Sequence, residues 1–597
     1  MCGIFAYHGS AENIDSASQI LKGLQRLEYR GYDSWGIAGA TGTEVSVYKQ
    51  VGKISGIDRA EVKVPPTTVA IGHTRWATHG GVTQINAHPH SASDGSFVLA
   101  QNGVVENFDQ LKAELIDQGY KFISETDTEV IVRLIEQAQK KSQSLVEAVS
   151  TAHRQLEGRN TIIVLTPGGE IIAARQGSPL VLGFGHQPGE LYISSDVLSF
   201  ADEVSQIVKI ENGQLVQILP DGEVNIRELV SGKTVAFEPE RLDLKQPKID
   251  KEGYPHFMVK EIHETPMVIR KVVAQAESEE LRQAVNLIQK AGDVYVIGSG
   301  TAGIAAAQIA YYLREIAGQK AVSLVGADAS EYLKIFKAGD VLIAPSQSGE
   351  TADVLEILEK VQAMGVKVIT YVNMPASSMT RLADVSSMAE AGPEICVMST
   401  KVYVSQIAWG FLIAHAVAGT AETGKRELEV AAQQIQRYLE DAASQRAVEV
   451  LADQLLPHRD LFLMAKGQLF QTMREGMVKL IEGSYKHAHA IPAGDLKHYA
   501  ITLMEKEVMV LVAVAEDGVK QEVLNAAHEV KARGATVIGI AAQSEPSFDV
   551  WLQVPNTAAT SAMSMVVSLQ LLAYHLAVKL GHDVDHPRNI AKSVTVK

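Results

Sequence analysis

The chain begins MCGIF, and Cys2 is one of only two cysteines in 597 residues, the other being Cys396. A small residue after Met1 permits removal of that methionine, which leaves Cys2 with a thiol and a free α-amine on one residue. Such an amine has a pKa of about 7.7–8.0 and serves as a base for the thiol beside it. TRWATHG (74–80) supplies Arg75 to grip a carboxylate, with Thr78 and His79 for polar contacts. QNGVVEN (101–107) supplies the Asn102 amide and the Gly103 backbone N–H, donors suited to an oxyanion. Asp127, in ETDTE, is placed to receive an ammonium group. Together these residues call for a substrate with an α-carboxylate, an α-ammonium and an acyl carbon. The histidines at 73, 79, 88 and 90 include two in AHPH, but no third ligand has metal-site spacing, so no metal is read.

A second group of residues lies beyond position 290. SQSGET, from Ser346 through Gln347 and Ser348 to Thr351, follows a strand-like run and opens a helical one. Hydroxyls, a glycine and backbone N–H groups at a helix start suit a phosphate, although a plain capped turn shares the pattern. The spacing of a nucleotide P-loop is absent. GSGTAG (298–303), with Thr301, ends the preceding strand and completes a cradle at the carboxyl edge of a sheet. Further on, Lys479 and Glu482 stand one helical turn apart, with His498 downstream as a second proton-moving candidate. Alone, each reads equally as a surface or capping residue. Lys592 sits among small apolar residues in PRNIAKSVTVK, where a lysine can lose its proton and attack a carbonyl.

The elements that must position these residues fall into two textures. Residues 1–240 read as short strands between turns, such as 68–76, 95–103, 160–169 and 190–196, with helical periodicity at 16–29 and 128–141. A charged, proline-containing stretch at 238–255 marks a boundary. Strands then alternate with helices, at 292–300, 339–349 and 366–373, which predicts a parallel sheet covered on both faces. The layout recurs at 459–467, 506–518 and 535–543. Asp293 to Asp340 and Asp460 to Glu507 each span 47 residues, the mark of a duplication. The second copy carries VAVAEDG where the first has APSQSGE, so only the first is equipped for an anion. The expected division is 1–240, a 241–280 linker and leading helix, α/β domains at 281–445 and 446–585, and a 586–597 tail. A net charge of −16 without basic runs argues against nucleic acid. No basic leader and no stretch approaching about 20 apolar residues is read, so no membrane span is expected. Two cysteines fit a reducing cytoplasm.

MCGIF, LEYRGYDS (27–34), HTRWATHG, AHPH, QNG and TDTE resemble the class II glutamine amidotransferases, N-terminal-nucleophile glutaminases with layered sheets and helices. SQSGETAD, AGPEICVMSTK (391–401), AGDLKH and PRNIAKSVTV resemble the sugar-isomerase half of the glutamine–fructose-6-phosphate aminotransferase family. The resemblance runs nearly end to end. It implies that Cys2 attacks the glutamine side-chain amide and that Asn102 and Gly103 hold the oxyanion. Arg75, Thr78, His79, Gly103 and Asp127 bind the amino acid, and Trp76 gates an internal ammonia channel. At the second site Lys592 forms a Schiff base with fructose 6-phosphate, His498 assists ring opening and Glu482 moves the C1–C2 proton, with Lys479 beside it. Thr301, Ser346, Gln347, Ser348, Thr351 and the Val397 backbone hold the sugar phosphate. The resemblance implies no cofactor, and a homodimer in which a neighbouring subunit's histidine completes the ketose site. Ser299 and Ala302, Tyr499 and Ala500, and Trp35 depart from the family's usual residues, which leaves open a different keto-sugar phosphate. A sugar-phosphate-binding regulator that has lost the chemistry is the alternative of another class, and the presence of Cys2, Glu482 and Lys592 argues against it.

Overall fold

The computed structural model describes residues 2–9, 15–242, 250–375 and 377–594. Residues 243–249 of the boundary stretch and 595–597 of the tail lie outside them. The chain divides into two compact units, one containing the N-terminal region with the tail from Ala591 onward, the other reaching to Ile590.

The first unit is built on two antiparallel sheets of eight and six strands. In the larger, β1 (Gly3–His8) pairs with β2 (Val69–Arg75) on one side and Leu191–Ser194 on the other. In the smaller, β3 (Val98–Gly103) pairs with β4 (Asn160–Leu165). The period of two explains the layering. Along β1, Ile4 and Ala6 join Ala100, Ile163 and Ala173 of the second sheet, while Phe5 and Tyr7 pack with Ile20 and Leu24. Those two residues belong to α1 (Ser16–Arg26), whose apolar positions recur at three- and four-residue steps. The far face of the six-stranded sheet packs on α2 (Thr128–Gln139) and its neighbours through Leu99, Ile162, Val130 and Leu134. The order is therefore helix, sheet, sheet, helix. Trp35, unusual by resemblance, is a core residue 1% exposed, its ring 5.7 Å from that of Tyr48.

The second unit opens with α3 (Phe257–His263) and then repeats one topology twice. Strands β5 (Val294–Gly298), β6 (Ala321–Val325), β7 (Val341–Ser346), β8 (Lys367–Val372) and β9 (Val385–Met388) form a parallel sheet in the order β6-β5-β7-β8-β9. Strands β10 (Asp460–Ala465), β11 (His487–Pro492), β12 (Met509–Val514), β13 (Thr536–Ala541) and β14 (Val550–Gln553) take the same order, β11-β10-β12-β13-β14. The expected tandem of doubly wound sheets is present. Each reverses strand order between its first and third strands, where ligands bind in such sheets. Helices α4 (Gly300–Glu315) and α5 (Ala352–Ala363) follow β5 and β7. Helices α6 (Phe470–Ser484) and α7 (Ser561–Lys579) pack on each other in the second half.

The membrane reading needs one correction. Ala558–Lys579 is long and apolar enough to cross a bilayer, yet 89% of its most apolar window is buried inside the protein. It is a core helix that is apolar all round because other helices surround it.

Candidate functional site

Cys2 precedes β1 directly, so the sheet fixes where its thiol stands. The half-buried Sγ lies against the Trp76 backbone, 3.4 Å from its N–H and 3.7 Å from its carbonyl. Burial pushes the thiol's pKa up, the nearby Arg75 guanidinium pulls it down, and Asp127 opposes that pull. The resting thiol therefore needs a base. Both free cysteines remain thiols, and Cys396 is buried in the other unit.

Arg75 ends β2 and is itself buried. Its guanidinium donates to the carbonyls of His79, Gly80 and Gly81, so it shapes the loop that carries Thr78 and His79. Asp33 closes that loop's other side by accepting the Ala77 N–H at 2.8 Å, a role the sequence reading did not assign. Asp127 is 4% exposed and accepts the Val105 N–H at 2.8 Å. Its burial raises its pKa, and His79 and Arg75 hold it down.

The candidate oxyanion donors sit at the end of β3. Asn102 is buried, and neither its Oδ1 nor its Nδ2 has a hydrogen-bond partner among the described residues. An unclaimed buried amide costs about 1–3 kcal/mol, a cost that a site recovers when its ligand arrives. Gly103 has φ +150°, and a Cβ there would stand 2.0 Å from the Arg159 carbonyl oxygen, so no other residue fits.

Behind this strand the four candidate histidines separate. His79 is half-exposed on the loop, whereas His73, His88 and His90 form a buried column with ring centroids 4.2 and 4.9 Å apart. His73 bonds the Gln101 carbonyl, His88 the Gln101 N–H and Thr128, and His90 Thr126. Among the described residues no group of His, Cys, Asp and Glu has metal-site geometry. Burial lowers the pKa of His73 to about 3 and those of His88 and His90 well below 6.5, with Arg75 and Lys49 adding to the effect. The column is neutral when folded and takes protons when unfolded. Its contribution is complete above about pH 6.5 and is lost as pH falls below it, at about 1.4 kcal/mol per histidine per pH unit. Melting of the first unit should therefore drop steeply between pH 6.5 and 5. A flat melting temperature across that range would show that the column does not carry this linkage.

In the second unit, Gly298 and Ser346 end adjacent parallel strands, so the two loops read as a cradle do meet at the carboxyl edge. The SQSGET loop is less open than its sequence suggests. Ser346 Oγ accepts the Gly349 N–H at 2.9 Å and Ser348 Oγ the Glu350 N–H at 3.1 Å, so two of the backbone donors are used within the loop. Thr351 stands at the N-terminus of α5 without a side-chain cap bond, and Gln347 is half-buried beside it. The backbone N–H of Val397 is also taken, by the Asp585 carbonyl at 2.9 Å. Ser299 Oγ is buried without a partner among the described residues.

Lys479 and Glu482 of α6 are joined by a residue that sequence reasoning missed. Glu475 lies one turn earlier on the same face. Lys479 Nζ is 3.3 Å from Glu475 Oε1, 2.6 Å from Glu482 Oε2 and 3.2 Å from the Thr301 hydroxyl, which in turn donates to Glu475. Lys479 and Glu475 are 1% and 0% exposed at their side chains and Glu482 is 24% exposed. The two carboxylates hold the ammonium charged despite its burial. Burial and the Glu482 charge push Glu475 up to about 7. The signal was present in the spacing 475, 479, 482, which places three charges on one helix face.

His498 ends a short 3₁₀ turn, Ala493–His498, where it is exposed and makes no side-chain hydrogen bond among the described residues. Tyr499 beside it is 46% exposed, whereas Ala500 is buried. Lys592 is half-buried in the tail that groups with the first unit.

Residues 43–219 match the family model of a glutamine amidotransferase domain, and 287–416 and 454–580 each match that of the SIS domain. The glutamine–fructose-6-phosphate aminotransferase (isomerizing) of Thermococcus kodakarensis is 36% identical over 612 residues, spanning all of both chains. That of Gloeobacter violaceus is 36% identical over 618 residues, again spanning both chains entirely. The solved C-terminal domain of glucosamine-fructose-6-phosphate aminotransferase from Francisella tularensis matches 56% of this chain and 99% of its own, with TM-score 0.51 and 26% identity.

Proposed function

The chain belongs to the glutamine–fructose-6-phosphate aminotransferase (isomerizing) family, and from that premise we propose that it converts glutamine and fructose 6-phosphate to glutamate and glucosamine 6-phosphate. The Cys2 thiol gives its proton to the α-amine exposed by methionine removal and attacks the side-chain amide carbon. Asn102 Nδ2 and the Gly103 N–H receive the oxyanion, which explains why the Asn102 amide is left unclaimed. Collapse releases ammonia and leaves a thioester that water hydrolyses to glutamate. Arg75, Thr78, His79 and Asp127 hold the amino-acid end. Ammonia passes internally, with Trp76 as the gate, since in water at neutral pH it would be protonated and lose its nucleophilic lone pair.

At the ketose site Lys592 adds to C2 and loses water to form an imine, with His498 assisting ring opening. Ammonia displaces the lysine, and Glu482 moves a proton between C1 and C2. Thr301, Ser346, Gln347, Ser348, Thr351 and Val397 hold the sugar phosphate, and a homodimer completes the site with a histidine of the neighbouring subunit. The observation that carries the reading is Lys479. Its buried ammonium binds both the carboxylate assigned to proton transfer and Thr301 of the phosphate cradle, so phosphate and proton chemistry share one anchor. The expected result with purified protein is glutamate and glucosamine 6-phosphate in equal amounts. Glutamate without the amino sugar would keep the glutaminase and point to another acceptor, consistent with Ala302 and Tyr499.

A further inference from the structure

The proposed sugar-binding loop is tied within itself by Glu394, which accepts the Ser399 hydroxyl and the Thr400 and Val402 N–H groups, and is tied from outside as well. Its residues 394–397 lie over α3, a seven-residue helix with no assigned catalytic role. Glu261 of α3 is 1% exposed, and its Oε1 accepts the N–H groups of Ile395 at 2.5 Å and Cys396 at 3.3 Å. At the start of the same helix, the N-cap residue His256 makes no side-chain cap bond. Asp585 supplies the cap from far along the chain. Its Oδ2 accepts the Phe257 N–H at 3.0 Å and its Oδ1 the Met258 N–H at 2.9 Å, with the side chain buried at the positive end of the helix. The triangle then closes. The Asp585 carbonyl accepts the Val397 N–H at 2.9 Å, and the Cys396 thiol donates to the Val584 carbonyl at 3.3 Å. The far end of the loop is fixed next to the same helix, because Lys401, 2% exposed at its side chain, pairs at 2.6 Å with Glu264, the residue that caps the C-terminus of α3.

We infer that Glu261 and Asp585 are positioning residues that lock the Val397 loop to the root of the C-terminal tail through α3. Asp585 lies seven residues before Lys592, so the same lock fixes the point from which the Schiff-base lysine is tethered. Sugar affinity and imine formation are thereby set together, although neither Glu261 nor Asp585 touches the sugar. This rests on the assignment of Val397 and Lys592 to the ketose site. The geometry favours the role over mere packing because Oε1 of Glu261 and both carboxylate oxygens of Asp585 accept main-chain N–H groups of other segments, which fixes backbone paths.

The test uses the full-length protein and the variants Glu261→Ala, Glu261→Gln and Asp585→Asn. Three quantities are read: glutamate release without sugar, the KM for fructose 6-phosphate, and the rate at which borohydride reduces the fructose 6-phosphate imine to a stable amine on Lys592. A displacement of about 1 Å costs up to about 100-fold, so Glu261→Ala and Asp585→Asn should raise KM and slow trapping by about tenfold or more. Glutamate release should stay within about twofold, and Glu261→Gln, which keeps Oε1, should restore trapping to within about threefold. Asp585→Asn retains one acceptor oxygen and carries the comparison if Glu261→Ala is recovered unfolded. Wild-type trapping in both disruptive variants overturns the inference. So does a parallel loss of all activities and of melting temperature that includes Glu261→Gln. Failure of the wild-type protein to form any adduct would instead strike the ketose-site assignment, and the inference would fall with it.

Discussion

Cys2→Ala should abolish glutamine hydrolysis, with a fall of about 10⁴-fold or more, and glucosamine 6-phosphate formation from glutamine should fall with it. The size follows from the geometry. The thiol is the only sulfur at the mouth of the first unit's sheets among the described residues, since Cys396 is fully buried in the second. Burial raises the thiol's pKa, so in the proposed mechanism the residue depends on its own α-amine as base, and alanine removes the proposed nucleophile while leaving that amine in place. The proposed oxyanion donors remain, and Asn102→Ala gives the complementary measure. Losing one preorganised donor costs about 10²–10³-fold, well short of losing the nucleophile. Both variants should leave borohydride trapping of fructose 6-phosphate unchanged, because the proposed imine chemistry uses neither group. Glutamate release by Cys2→Ala above background would place the nucleophile elsewhere and overturn the mechanism.

What was readable from sequence depended on range. The two parallel sheets were legible because their strands are continuous apolar runs between turns, and the 47-residue repeat reported the duplication. The edge strands β6, β9, β11 and β14 escaped notice. AVSLV, VSSM, HAHAIP and VWLQ are too short or too polar to show the buried pattern. Asn102, Gly103 and Asp127 stood out as candidates because recognisable motifs carry them. Gln101 was not. Its backbone is gripped by His73 and His88, and its side chain by Thr128 and Asn160, all contacts between distant segments. Three of the four histidines, His73, His88 and His90, form a neutral packed column, a role set by burial that their spacing does not show. The SQSGET loop shows the same limit. Its residue types announced an anion site, but only the fold reveals that Ser346 and Ser348 consume two of the N–H groups themselves.

Lys479→Met should have the second large effect, and it separates two consequences that a single activity assay would merge. Methionine keeps most of the side-chain volume but removes the one cation between Glu475 and Glu482. Breaking a buried ion pair by deleting one partner costs about 3–5 kcal/mol, because the remaining charge stays desolvated. Glu475, already pushed up to about 7 with the ammonium present, then bears that cost, either as a bare buried charge or as the uptake of a proton. The Thr301 hydroxyl loses the donor that fixes it, and Glu482 loses the contact that aims its carboxylate. Amino sugar formation should therefore fall by about 10²–10³-fold, since both the proposed proton-transfer group and the proposed phosphate cradle lose their common anchor. Glutamine hydrolysis without sugar should stay within about twofold. The stability loss is then isolated with Glu475→Gln. If the destabilisation of Lys479→Met comes from an uncompensated Glu475 charge, adding Glu475→Gln should recover much of the melting temperature without recovering synthesis. Recovery of both together would mean that Lys479 acts only by holding the fold, and recovery of neither would place the buried charge on Glu482.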